Sequence, residues 1–317
     1  TTNKKYSIKG GNNKMKKVFF LVFVVTLLIS GCSPDEVIDE GPFVGGTSGV
    51  SLSFVEGAPV SEFSVIEGVP VQIMLKNNGE YDLLADSVEV ALYGLSMSDY
   101  GLNSNYSVVE GGMIGIKKDF IEEGAEILVN KGIMKYLGSV TTSLDINLKA
   151  KVCYPYSAEA RISACALSRN IISAGGESVC EISGEKYSST RVSASPVQIT
   201  SFTEALSGSN EVMFRIEIEN KGFGNVFVDT AECSSLDGTT LDKDKIHYRI
   251  EQEDVVCTSF DGIESNEGYL KLTDGKKTLI CKMPVEDGSS GYTKELAIYL
   301  DFKYVESTSK DLTILEA

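Results

Sequence analysis

Apolar and polar residues alternate along most of the chain beyond residue 49. Residues 50–55, 69–75, 88–92 and 144–153 carry β-branched or large apolar side chains at every second position, which is the period of a strand with one buried face. Clusters of Gly, Asn, Asp and Ser interrupt the pattern, and no window repeats apolar residues at helical spacing. The pattern therefore predicts an all-β protein built as a sandwich of sheets.

The two halves of this alternating region have the same order of parts. A strand ends in Asn-x-Gly at Asn77 and again at Asn220. Because an asparagine side chain bonds nearby backbone and a glycine suits a left-handed turn, both motifs should end their strands. Each half then has a predicted turn that ends in glycine, at residues 121–124 and 272–275. The Asp-Gly pair at residues 274–275 is typical of a tight hairpin.

Each half closes with a long alternating strand, at residues 144–153 and 296–304. We expect a turn to follow, and then a closing strand through Ile162 or Ile314. The repeat predicts two tandem immunoglobulin-like β-sandwich domains, at residues 49–167 and 195–317, with a linker at residues 168–194. Each predicted domain has about 120 residues, a usual size for one such sandwich.

A single long apolar run, residues 18–29, precedes the alternating region. Lys16 and Lys17 stand before it and the small residues Ser30 and Gly31 after it, which is the order of a secretory signal peptide. The run is shorter than the roughly 20 apolar residues that a membrane-spanning helix needs. We therefore expect residues 1–31, an upstream extension followed by the signal peptide, to be removed on export.

The four residues Ile29, Ser30, Gly31 and Cys32 resemble the lipobox of prokaryotic lipoproteins. The resemblance implies that Cys32 is acylated through its thiol and becomes the new N-terminus. The alternative is an ordinary signal peptide that happens to precede a cysteine. Residues 32–48 are rich in Gly, Pro and acidic residues and predict a flexible tether that holds the first domain roughly 20–25 Å from the lipid. The predicted location is the extracellular face of the membrane.

The chain is acidic, with a formal net charge of −16. Removal of the residues before Cys32 takes away six lysines and no acidic residue, which makes the charge −22. Such a surface repels nucleic acid and anionic headgroups, so neither is an expected partner. The chain has one histidine, His247, and no tryptophan. The usual imidazole metal ligands and general bases are therefore scarce, and we expect neither a cofactor nor an enzymatic activity.

Six cysteines remain after Cys32, namely Cys153, Cys165, Cys180, Cys233, Cys257 and Cys281. An even number in an exported chain predicts disulfides, and the absence of a Cys-x-x-Cys pair argues against a zinc ribbon. The connectivity stays open from sequence. Our preferred pairing joins Cys153 to Cys165, Cys257 to Cys281 and Cys180 to Cys233, because the first two pairs are near in sequence.

The strand ending in Asn-x-Gly, the glycine turn of each half and the final strand with Leu300 and Asp301 resemble CARDB-type immunoglobulin-like modules. Together with the lipobox, they make the chain similar to archaeal surface lipoproteins. The resemblance implies adhesion, or the spacing and presentation of other groups, and it carries no catalytic residue over. The first half departs from the family pattern by a longer insertion at residues 96–113.

Four local features are candidate sites. Asn105 begins a glycosylation sequon in a polar loop, and chance occurrence is an equal alternative. Asp237, Asp242 and Asp244 are weak calcium candidates, for which a solvated acidic loop is the favoured interpretation. His247 lacks a second ligand nearby in sequence. Tyr154 and Tyr156 suggest an aromatic contact, but packing over the linker is favoured.

These features favour a non-enzymatic adhesion, binding or spacer module of the cell envelope, with a protein or glycan partner and residues 96–113 as the first contact surface to test. The alternative is an accessory subunit that presents substrate to, or braces, an exported hydrolase or transporter. A hydrolase with paired carboxylates is a third hypothesis, without a sequence signature.

Overall fold

The structure is a computed structural model that describes residues 41–118, 123–175, 178–236, 241–285 and 290–317. The predicted signal peptide, the lipobox and Cys32 lie outside the described residues. The described chain is an all-β sandwich, as predicted, with one α-helix of a single turn, α1 (Arg169–Ser173). No helix in the described ranges is both long and apolar enough to cross a membrane.

The strands of the described residues divide at α1. Before it lie β1 (Val50–Phe54), β2 (Glu62–Ser64), β3 (Val69–Asn77), β4 (Glu89–Tyr93), β5 (Ser107–Val108), β6 (Glu126–Met134) and β7 (Ser143–Ala166). After it lie β8 (Val197–Ser207), β9 (Glu211–Asn220), β10 (Asn225–Phe227), β11 (Lys245–Ile250), β12 (Val256–Thr258), β13 (Glu264–Ser265), β14 (Glu267–Lys271), β15 (Lys276–Pro284) and β16 (Tyr292–Leu315). Short 3-10 turns occur at Met97–Tyr100, Ser189–Arg191 and Cys233–Ser235.

The strands pair in the same order in both halves. In the first half, β1, β3 and β6 form one small sheet; in the second, β8, β9 and β15 repeat that order, and β12 and β13 extend the sheet beyond β15. A large sheet has the order β14-β11-β16-β7-β4-β5. In the first half β4 pairs with β7 and β5 lies beyond it; in the second half β11 pairs with β16 and β14 lies beyond it in the same way. The repeat inferred from sequence is therefore present in the pairing of the strands.

The large sheet has the antiparallel pair of β7 and β16 at its centre. Both strands are 24 residues long, and they pair without a register shift from Ala166 with Tyr292 to Ser143 with Leu315. The predicted turn before Ile162 and Ile314 is wrong. Alternation continues straight through, but alanines such as Ala158 and Ala160 at the inward positions make the apolar period weak in sequence.

Each long strand serves both halves. The N-terminal part of β7 pairs with β4, and the Lys131 ammonium of β6 reaches across to the Val90 carbonyl of β4 at 3.1 Å. The C-terminal part of β7 instead meets the second half, where the Glu204 carboxylate of β8 accepts the Cys165 N–H at 2.8 Å. Since β16 runs antiparallel, its last residues complete the first sandwich and its first residues complete the second. The two halves thus exchange strands.

Four aromatic side chains lie where the two halves meet. Tyr154 is opposite Tyr304, and Tyr156 is opposite Phe302. All four are buried, with ring centroids 5.8–6.2 Å apart. We call this group the waist. The favoured prediction that Tyr154 and Tyr156 are packed is confirmed, although they lie within a continuous strand and not at a hairpin end.

The cysteines form three disulfides, Cys153–Cys233, Cys165–Cys180 and Cys257–Cys281. Of the preferred pairs, Cys257 with Cys281 is confirmed, whereas Cys153 with Cys165 and Cys180 with Cys233 are wrong. The straight course of β7 is the reason. Cys153 and Cys165 are twelve positions apart on one strand, which separates them by roughly 40 Å.

The described residues between 41 and 317 form one compact unit. The segment predicted as a linker is joined to both strands that flank it, because Val192 bridges to Ala160 of β7 and Glu185 bridges to Thr203 of β8. The domain boundaries at residues 167 and 195 stay a prediction. The two halves that they separate share the large sheet.

We predict that a substitution near the C-terminus weakens the N-terminal half. Ile314 is fully buried and Leu315 is 40% exposed. Ile314→Ala should cost about 2–4 kcal/mol of unfolding free energy because it leaves a cavity, and Leu315→Ala should cost less than about 1 kcal/mol. Hydrogen exchange of the Ile314→Ala protein should show faster exchange in β1, β3 and β6. Loss of protection restricted to β9 and β15 would contradict the strand exchange.

Candidate functional site

A cavity of about 580 Å³ lies beside the waist. It occupies a gap along one edge of β7, because the ladder with β4 ends at Cys153 and the next partner, Val192, joins only at Ala160. Its walls come from the chain before β1, the loop after β3, the loop before β6 and β7 itself, and the lining residues are Pro42, Phe43, Glu80, Tyr81, Ile116, Lys117, Lys118, Ser157, Glu159 and Ser193.

The Asn-x-Gly motif at the end of β3 places the loop that carries Glu80 and Tyr81. The Asn77 side chain accepts the Gly79 N–H at 3.1 Å and donates to the Tyr81 carbonyl at 2.8 Å. A side chain at Gly79 would meet the Tyr156 hydroxyl well inside contact distance, so only glycine fits. This turn therefore sets one wall of the cavity against the waist.

The second Asn-x-Gly motif has the same bonds. Asn220 accepts the Gly222 N–H at 3.2 Å and donates to the Gly224 carbonyl at 3.0 Å. A side chain at Gly222 would meet the Tyr304 hydroxyl, just as one at Gly79 would meet Tyr156. The repeat thus extends to the atoms that fix these two turns.

Glu80 joins three chain segments at the floor of the cavity. Its carboxylate accepts the N–H groups of Val44 at 2.9 Å, Gly45 at 3.0 Å and Ala194 at 2.7 Å. A carboxylate that accepts several charge-assisted hydrogen bonds from backbone N–H groups is held in place. Glu80 therefore orders the chain that precedes β1 and the chain that precedes β8.

Asp82 and Lys117 form an ion pair at the rim, with 2.8 Å between the ammonium and the carboxylate. Partial burial raises the pKa of Asp82, but the bonds from Lys117 and from the Gly115 N–H outweigh it and hold that pKa below its usual value. Burial, with Asp301 and Asp82 nearby, raises the pKa of Tyr81. At neutral pH the cavity therefore presents a protonated tyrosine beside an ion pair.

A row of polar side chains crosses the outer face of the large sheet next to the cavity. Ser157 donates to Asp301 at 2.5 Å, and the other Asp301 oxygen lies 3.7 Å from Nδ1 of His247. The His247 ring packs at a tilt of 41° against Tyr269, with ring centroids 5.0 Å apart. Ser157 and His247 contact the same carboxylate and not each other, so the row lacks the contact between hydroxyl and imidazole that activates a serine nucleophile.

The next row on this face pairs opposite charges. Arg161 donates to Glu159 at 2.6 Å and to the Tyr299 hydroxyl at 3.2 Å, and the Arg249 guanidinium lies 4.1 Å from the Tyr299 ring centroid. Glu159, which lines the cavity, is thus already paired with a cation. The two rows make this outer face polar and ordered.

The residues predicted for glycosylation and calcium binding do not line the cavity. Asn105 is exposed, in keeping with an accessible sequon. Asp244 has a left-handed backbone with φ of 61° and bonds through its backbone to Val226 and Leu272. Asp242 also bonds through its backbone, to Val228, while Asp237 lies outside the described residues. Within the described ranges no three His, Cys, Asp or Glu side chains converge as metal ligands do.

The insertion at residues 96–113 is partly anchored. Met97, Tyr100, Val109 and Met113 are buried, whereas residues 98–99, 101, 103–105, 108 and 110–112 between them are exposed. Sequence reasoning missed Glu80, Tyr81 and Lys117. The Asn-x-Gly motif was the available signal for the first two, since it fixes the turn directly before them, whereas nothing near Lys117 in sequence indicates that it meets Asp82.

No protein-family model matches the chain, and the comparison with curated proteins found no match.

We predict that His247 stabilises the fold in a pH-dependent way. Asp301 raises the pKa of His247 above 6.5, with burial opposing and Asp229 and Glu267 adding to it. Burial raises the pKa of Asp301, but His247 and Ser157 outweigh it and hold it below 3.8. The ion pair thus stabilises the folded state once Asp301 is ionised. This stabilisation is lost as the pH rises through the raised pKa of His247.

His247→Gln should therefore cost about 0.5–1 kcal/mol more unfolding free energy at about pH 5.5 than at about pH 8.5. Denaturant unfolding at the two pH values measures the difference. Lys303→Gln removes a charge from β16, the strand that carries Asp301, and is the control, with no such pH dependence expected. An equal cost of His247→Gln at both pH values would rule the ion pair out.

Proposed function

We propose that the chain is a lipid-anchored, non-enzymatic binding module of the cell envelope, held at the extracellular face through Cys32, with the waist cavity as its ligand-contact surface. The observation that supports the proposal most is the location of that cavity beside the β7–β16 ladder, which connects the two halves rigidly. The CARDB-type and immunoglobulin-like resemblance is part of the same proposal, because such modules bind, space or present other groups.

Rigidity follows from the exchanged strands. The ladder of β7 and β16 runs through both halves without a register shift, so bending between the halves would break backbone hydrogen bonds. Cys153 of β7 is also joined to Cys233 in the second half. A cavity walled by both Tyr81 and β7 therefore keeps its shape, and a preformed site loses little entropy when it binds.

The chemistry of the cavity suits a polar, hydroxyl-rich ligand. Phe43 and Tyr81 supply aromatic surface, Ser157 and Ser193 supply hydroxyls, and Lys117 supplies a cation. Aromatic faces beside a few fixed polar groups are usual in binding sites for such ligands. An envelope glycan is the ligand we expect, and an envelope protein is the other candidate partner.

The anchor is tested by metabolic labelling with a fatty acid in a prokaryotic host. The full chain should incorporate the label and fractionate with membranes. Cys32→Ala should abolish the label because no other side chain there forms the thioether, while Ser33→Ala, outside the motif, should retain it. Label that persists in Cys32→Ala would contradict lipidation at this residue.

The binding site is tested with the soluble part from residue 41 and isolated cell envelopes. Lys117→Ala should weaken retention at least about tenfold, because loss of one charge-assisted contact costs about 1.5–3 kcal/mol. Lys282→Ala is the matched control, since Lys282 forms a comparably exposed ion pair with Glu211 in the second half, and it should bind as wild type.

Protease treatment of the envelopes distinguishes the two partners, because binding to a glycan should survive it. Equal retention of the Lys117→Ala and Lys282→Ala proteins would reject the waist cavity as the contact surface.

A further inference from the structure

The two halves differ at one edge of their small sheets. In the second half, β12 pairs with the outer side of β15, with Val256 opposite Lys282 and Cys257 opposite Cys281, and a disulfide joins the last pair. The equivalent strand of the first half, β6, pairs with β3 on one side. On its other side no strand is paired among the described residues. The position that β12 fills in one repeat is thus open in the other.

The backbone of β6 is oriented for further pairing. Asn77 donates to the Ala125 carbonyl at 3.0 Å, and antiparallel pairs alternate in direction. The N–H and C=O groups of Ile127 and Val129 therefore point toward β3. Those of Glu126, Leu128 and Asn130 point toward the open edge.

Two other outer strands, β8 and β14, accept hydrogen bonds from loops of the same chain. Lys186 donates to the Phe202 carbonyl of β8 at 2.9 Å, and Phe260 donates to the Tyr269 carbonyl of β14 at 2.7 Å.

The side chains of β6 do little to guard this edge. Natural edge strands carry outward lysines, prolines or bulges that prevent pairing. Here Lys131 turns inward, with its ammonium 2.8 Å from the Ser107 hydroxyl, and the register shifts only beyond Asn130. Leu128 is 51% exposed and Ile133 is 58% exposed. Residues 126–130 are thus a regular, largely apolar edge.

We propose that a second copy of this chain pairs with this edge, β6 against β6 in antiparallel orientation, about a twofold axis at Leu128. This register sets Ile127 opposite Val129 of the second copy and Glu126 opposite Asn130 of the second copy. Like charges do not face each other in it, and Glu126 is already paired with Lys76 at 2.9 Å. The strand is therefore complementary to itself, as a twofold interface requires.

The association is weak and depends on salt. A pairing of this length buries less surface than an obligate interface. Each copy is also acidic, with a formal charge of −16 for the whole chain and −22 without the residues before Cys32, so two copies repel each other until salt screens them. The dimer fraction therefore rises with protein concentration and with ionic strength.

The test is the mass of the soluble part from residue 41, measured by sedimentation over a wide concentration range at about 0.05 M and about 0.5 M salt. The expected result is a shift toward twice the monomer mass that is greater at high salt. Amide exchange by NMR should slow at Glu126, Leu128 and Asn130 on dimerisation, while Ile127 and Val129, which already bond to β3, should change little.

Leu128→Lys sets two cations opposite each other and should weaken the dimer at least about tenfold. Leu84→Lys makes the same change at a leucine that is 74% exposed elsewhere and should dimerise as wild type. An unchanged melting temperature in both variants shows that the monomer fold is intact. A monomer at every concentration and salt, dimerisation of Leu128→Lys like wild type, or binding of only a foreign strand at β6 would each overturn the proposal.

Discussion

The antiparallel ladder between β7 and β16 is the interaction on which the rest of the fold depends. Each strand contributes one part to each sandwich, so neither half can close its large-sheet layer from its own sequence segment alone. Buried residues of both halves belong to one continuous core, from Val50 to Ile314. Breaking the ladder at either end exposes apolar side chains of the half that lies far away in sequence. The two repeats therefore stabilise each other, in contrast to two independently folded domains joined by a linker.

The waist and its cavity follow from the same ladder. At its centre Pro155 lies opposite Lys303, and the neighbouring tyrosines direct their hydroxyls to the two Asn-x-Gly turns. Tyr304 accepts the Gly224 N–H at 2.8 Å, and Tyr156 accepts the Tyr81 N–H at 3.4 Å just after the first turn. Tyr156 also donates to the Ala194 carbonyl at 2.6 Å, in the chain that precedes β8. Burial raises the pKa of Tyr304 and of Tyr156, so both hydroxyls stay protonated. The turns are thus fixed from within, and the edge of β7 between its two successive partners is left open to solvent as a cavity.

Sequence alone predicts the local features well and the long-range ones poorly. Alternation gives the strands, and the two Asn-x-Gly motifs give the repeat, because both are encoded within a few residues. The exchange of strands was not predictable, since alanines at the inward positions of β7 and polar residues such as Glu306 and Thr308 in β16 weaken the apolar period where the strands cross between halves. The preferred pair of Cys153 and Cys165 failed because near neighbours in sequence are distant along an extended strand. The pair of Cys180 and Cys233 failed with it, because these two cysteines bond to Cys165 and Cys153 instead. At the rim of the cavity Lys117 bonds to Asp82, which lies 35 residues away in sequence. No local sequence pattern encodes this contact.

The repeats also indicate where function can reside. Positions that both halves share, such as the Asn-x-Gly turns and the tyrosines they enclose, are occupied by contacts that hold the exchange together. Surfaces open to partners must then lie where the halves differ. One difference is β12, which covers the edge of β15 but has no described counterpart at β6. Another is the segment 116–118, which lines the cavity beside the first half. Both differences leave backbone or polar groups of the first half exposed.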